Sequence, residues 1–185
     1  MNAPSFANIA WKTLGQGFSA AVTVFRSAHR TPVPAHLLDT VRIRAKVLYQ
    51  QEGEKLFGLA DKAIRNVLKD AGKDYEKALG DSLKCLSTII SEKIANPLIL
   101  ENRSSLERLG IGDEASMAML TEELCSVLTS QAESAVAGIV KTHVSGEEAN
   151  ILLEMTKALS AHESMTRILT FFEGLQVADL YTEIL

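Results

Sequence analysis

The sequence predicts an all-α fold, a single-domain bundle of six or seven helices spanning residues 1–185. Three observations lead there. Apolar residues recur every three or four positions along most of the chain, the period of one helix face. Ala, Leu, Glu, Lys and Met are abundant, whereas cleanly alternating β-branched runs are scarce. The four prolines, Pro4, Pro32, Pro34 and Pro97, leave everything after Pro97 without a helix breaker. With 46% hydrophobic and 23% charged residues, the composition excludes wholesale disorder, a collagen repeat and a disulfide scaffold.

The first expected helix covers residues 5–28, capped by Ser5, with Trp11, Leu14, Phe18, Ala21 and Phe25 along one face. Gly15 and Gly17 weaken its middle by about 1 kcal/mol each relative to alanine. Phe6, Trp11, Phe18 and Phe25 are four of the ten aromatics, so the stripe reads either as core or as a surface for a partner or a membrane interface. A polar face almost free of Lys and Arg argues against the membrane. Pro32 and Pro34 end this helix, because a residue before proline is pushed out of the α region.

A second helix is expected over residues 35–51. Within it, residues 41–47 alternate as a strand would, but Leu37, Leu38, Leu48 and Tyr49 on either side keep helical spacing. Glu52, Gly53 and Glu54 are expected to kink or divide the next segment, which runs to a left-handed closing residue at Gly72. Tyr75, Leu79, Leu83, Leu86, Ile90 and Ile94 mark a helix over residues 74–95, ended by Asn96 and Pro97.

Residues 98–112 read as a break. Inside it Ser104 and Glu107 form a capping-box pattern for a short helix stopped by Gly110. Asp113 caps a long helix to residue 143 carrying Met117, Leu120, Leu124, Val127, Leu128, Ala135 and Ile139, and its small residues over 132–138 would let a neighbouring backbone come close. A second capping-box pattern at Ser145 and Glu148 opens a helix over 146–173, ended by Gly174 and followed by a short terminal helix over 175–185. The helices over 113–143 and 146–173 are expected to form an antiparallel central pair.

Charge is unevenly distributed. Residues 1–100 hold 14 Lys or Arg against 9 Asp or Glu, net +5, and residues 101–185 hold 5 against 14, net −9. The helices over 35–96 therefore lean basic and those over 113–185 lean acidic, a split that fits attraction between the halves, association of chains, or an anionic partner. Arg42, Arg44 and Lys46, with Arg26 and Arg30, make the one basic concentration. A nucleic-acid reading is disfavoured by a pI near 5.6 and by the lack of helix-turn-helix, zinc-finger or RNP patterns.

Motifs that carry chemistry are missing from the sequence. His162 and Glu163 are adjacent, so on a helix they point about 100 degrees apart and cannot converge on one atom. His143, near a helix end, is expected to satisfy terminal carbonyls. There is no GxSxG elbow, no phosphate-binding glycine pattern, and no Cys/His cluster for a metal. Cys85 and Cys125 read as buried thiols in a reducing compartment. Met117, Met119, Met155 and Met165 could line a groove for varied helices, but core filling is the simpler reading. No signal peptide or spanning helix is recognised.

The expected function is therefore a non-enzymatic, cytoplasmic protein–protein interaction module of adaptor, chaperone or effector type. Its partner would be another protein or a second copy as a homodimer, and no cofactor is expected. Trp11, Leu14, Phe18, Phe25, Arg42, Arg44 and Lys46 are the candidate partner-binding residues. The alternatives are binding of an apolar small molecule or lipid surface through the aromatic first helix, and an enzyme whose site the sequence does not reveal.

Overall fold

A computed structural model describes residues 34–181 of the chain, with side-chain environments up to Leu175. The first expected helix, with Trp11, Leu14, Phe18 and Phe25, lies outside the described residues. Those that are described form an all-α structure with no strand: α1 (Ala35–Ala71), α2 (Tyr75–Ile90), a π-helical turn (Ser91–Ala95), α3 (Asn96–Glu101), α4 (Arg103–Arg108), α5 (Glu114–Val144), α6 (Ile151–Ala158) and α7 (Ala161–Tyr181).

These segments stack into four antiparallel columns. The first is α1, about 55 Å long at 1.5 Å per residue. It runs unbroken through Gly53, because a Cβ there would meet only Phe57, at 3.8 Å, and the residue faces the core without distorting the helix. The alternation over 41–47 is helical too: Val41 and Ala45 are buried one turn apart, while Arg42 and Lys46 point outward.

Gly72 reverses the chain with φ 62° and ψ −126°, a region open to glycine alone, and Asp74 caps α2 by accepting from the Lys77 amide at 3.1 Å. The second column is α2, the π-turn and α3 in continuous succession. Pro97 was expected to end it and does not. A proline ring collides with the carbonyl four residues back, here that of Lys93, and Lys93 sits inside the widened turn, where the Asn96 amide bonds instead to the Ser91 carbonyl. The extra residue in that turn also resets the face, so Ile90, Ile94, Ala95, Leu98 and Ile99 all stay buried.

At the top of the second column α4 ends in a Schellman motif, with the Gly110 amide bonded to Glu107 and the Ile111 amide to Leu106. Gly110, at φ 79°, stops the helix as expected. Ser104 does not cap α4, because it lies inside the helix, where no side-chain cap is made.

Asp113 caps α5 as expected, taking bonds from both the amide and the hydroxyl of Ser116. Ser145 and Glu148, in contrast, do not open a helix. Ser145 terminates α5, its hydroxyl donates back to Lys141, and Gly146 at φ 82° completes a second Schellman motif through Thr142 and His143. The following helix starts at Ile151, capped by Asn150, and breaks at Leu159 into α6 and α7. Beyond that break α7 continues past Gly174 to Tyr181.

Column neighbours are fixed by specific contacts. α1 packs on α2, α2 on α5, α5 on α6 and α7, and those two close back on α1. The pair over 113–143 and 146–173 singled out by sequence does pack together, α5 against α6 and α7, but α1 packs as extensively on α2 and on the last column. Arg65 of α1 donates to the Ala149 carbonyl at 3.4 Å, and Gln131 of α5 to the Ala158 carbonyl at 2.9 Å, tying the last column on both sides. Leu37, Ile64, Leu86, Leu124, Leu128 and Phe172, from all four columns, are fully buried in one continuous core. Met117 and Met155 belong to that core and the half-buried Met165 packs against it, so these three fill space rather than line an open groove, while Met119 is half-buried.

Two outcomes are expected in thermal or denaturant unfolding. Leu128→Ala removes a side chain with no solvent exposure and lowers stability by about 2–5 kcal/mol. Gly72→Ala meets no neighbouring atom, so its loss of about 1–3 kcal/mol reports backbone strain alone, and a neutral result would refute the left-handed turn.

Candidate functional site

Of the sequence's candidate partner-binding residues, three are described. Arg42 and Lys46 are exposed on α1 and share a face one turn apart. Arg44 is turned away from them and pairs with Glu101 of α3 at 2.7 Å. That pair joins a basic-leaning helix to the first residue of the acidic half. The other ion pairs among the described residues, such as Arg65 with Asp61 and Arg103 with Glu107, lie within single helices. Exposed pairs of this kind contribute about 0–1 kcal/mol each.

The histidines and cysteines among the described residues occupy ordinary structural positions. His143 Nε2 lies 3.0 Å from the Gly72 carbonyl, so it satisfies the end of α1 rather than that of its own helix. Its neighbour in the sequence argument, His162, is exposed, and Glu163 accepts instead from Gln131 at 3.3 Å. Cys85 is half-buried rather than buried, and desolvation pushes its thiol pKa up, away from a reactive thiolate. Among the described residues no group of three or more His, Cys, Asp or Glu side chains is placed to hold a metal ion. The small-residue stretch 132–138 is divided: Ala132 and Val136 face the core, and a Cβ on Gly138 would meet nothing.

What the structure does assemble is a groove on the outside of the bundle, between the second column and α5, with a volume of about 800 Å³. One wall carries Leu83, Ser87, Ser91, Glu92 and Asn96 from α2, the π-turn and α3. The other carries Ala118, Glu122, Cys125, Ser126, Thr129 and Glu133, spaced every three or four residues along α5. From Ala118 to Glu133 that wall is about 22 Å long.

The floor is held by the buried Cys125 thiol, which donates to the Ser87 carbonyl at 3.1 Å while the Ser87 hydroxyl lies 3.3 Å from its sulfur. This contact fixes the distance between the two walls. The π-turn widens the upper end, bringing Ser91, Glu92 and Asn96 onto the groove side. Glu92, Glu122 and Glu133 face a single cation, Lys84, so the groove is net acidic. Beside it, burial and the neighbouring Glu122 raise the pKa of Glu123.

Small side chains, hydroxyls and a few carboxylates along two antiparallel helices equip the groove to seat a rod-shaped, cationic ligand by shape and charge. Sequence reasoning did not single out this groove, although Ala118, Glu122, Cys125, Thr129 and Glu133 already carry its spacing. Comparison with protein-family models, with curated proteins and with solved structures finds no match to this chain.

The raised pKa of Glu123 has a sign that can be measured. The folded state holds that proton more tightly than the unfolded state, so ionisation costs stability as pH rises through the carboxylate range. Glu123→Gln is expected to raise the melting temperature at neutral pH, and the gain is expected to vanish below about pH 4, where the glutamate is neutral in both states. An equal gain at both pH values would assign the effect to packing.

Proposed function

We propose that this protein is a non-catalytic helical interaction module that binds a partner helix in the groove between α2 and α5. The observation that carries this reading is the groove itself, four helical turns long, lined by side chains small enough to admit a third helix at the 8–10 Å spacing of packed helices. Its wall residues repeat at the three-and-four spacing that a helix seam meets. The excess of carboxylates favours a basic partner. Two free cysteines fit a reducing compartment such as the cytoplasm, and no helix among the described residues is long and apolar enough to cross a membrane.

The test uses a tryptophan-free amphipathic Leu/Lys peptide of about four turns as the probe. Saturable binding to the full chain is expected, weakening with salt as the carboxylates are screened. Ala118→Arg with Ser130→Arg, both at exposed groove positions, is expected to abolish binding while leaving the far-ultraviolet circular dichroism unchanged. Binding that is indifferent to this double substitution would overturn the reading.

A further inference from the structure

The groove has a length, a charge and an open end, and the chain's own leading sequence matches all three. Trp11, Leu14, Phe18, Ala21 and Phe25 follow one another at spacings of three, four, three and four, the seam of a coiled-coil helix. As a helix, that seam would extend about 21 Å, against the roughly 22 Å of the α5 wall. Lys12, Arg26 and Arg30 are the charged residues before Asp39, so this stretch is purely cationic, while Glu92, Glu122 and Glu133 outnumber Lys84 in the groove. Wall residues such as Ala118, Ser126 and Ser130 leave the holes that Trp and Phe knobs require.

Connectivity sets the direction. The Arg44–Glu101 pair places the start of α1 at the α3 end of the bundle, the same end as Asn96, Glu92 and Glu122. Residues 26–33, between the seam and Pro34, can extend about 26 Å. A segment entering there would bring Arg26 toward Glu92 and Glu122, and Lys12 toward Glu133.

We propose that residues 11–25 of this chain are the groove's ligand, bound within the same molecule. This inference rests on the groove reading above, and it makes an external helix a competitor of the chain's own segment.

Trp11 is the only tryptophan, so the full-length protein reports the outcome directly. Its emission is expected to be blue-shifted and shielded from iodide. Both properties are expected to be lost in Glu92→Lys with Glu122→Lys, and in Ser126→Arg, with the circular dichroism melt retained. Adding Arg26→Glu and Arg30→Glu to the double lysine variant is expected to restore them, because the charges are then exchanged. The Leu/Lys peptide is expected to displace Trp11 and move its emission to the red. A solvent-like emission in the wild type would overturn the proposal, as would shielding that the groove substitutions leave untouched. Shielding that appears only with a dimer in sedimentation would assign the ligand to a second copy and overturn binding within one molecule. Peptide binding at the groove with an exposed Trp11 would sink this inference alone, whereas loss of both would sink the groove reading with it.

Discussion

The continuity of the second column through Pro97 is the constraint on which the bundle depends. If the chain had turned away there, the buried side chains of Leu98 and Ile99 would have left the core, and α1 would have lost its contacts with α3. The π-turn prevents this by moving one carbonyl out of the proline ring's way. It exchanges regular i→i−4 bonding over five residues for about ten further residues of column. The same turn carries Ser91 and Glu92 to the outer surface, so the feature that keeps the core closed also shapes the upper groove.

Much of this architecture was legible in the sequence because burial repeats at helical spacing. Met117, Leu120, Leu124, Leu128 and Ile139 on α5, and Leu86, Ile90 and Ile94 in the second column, are buried as that spacing requires. Misreadings occurred where local chemistry has two meanings. Ser145-Gly146-Glu147-Glu148 matches a capping box in letters, but a glycine with positive φ after a long helix closes it, and two amides then bond backward rather than forward. Pro97 reads as a stop only if every helical turn is an α-turn. Gly53 was given too much weight, since the buried Tyr49 and Leu56 on its flanks outweigh the roughly 1 kcal/mol that a helical glycine costs.

The groove was illegible for a different reason. Ser, Thr and Glu on a helix surface look the same whether they face open water or a concave seam between two helices. Only the relative placement of α2 and α5, set by the Cys125–Ser87 contact, distinguishes the two. Cys125 itself illustrates the difficulty: its apolar surroundings in sequence marked it as core, and it is buried, yet it also forms the groove floor. The charge split between the halves was visible, but its structural expression was not. It appears as an acidic groove and an exposed basic pair, Arg42 and Lys46, rather than as a web of bridges between halves.

The order of the four columns bears on how quickly the chain finds its structure. Each column except the last packs first on the one that precedes or follows it, across turns as short as Gly72–Asp74, so most interhelical contacts join segments that are near in sequence. Such topologies have low relative contact order and fold in the microsecond to millisecond regime of helical bundles. The exception is the closure of α6 and α7 onto α1, where Arg65 meets Ala149 across 84 residues. That closure joins segments far apart in sequence, and it carries a larger loop-entropy cost than any of the short turns between neighbouring columns.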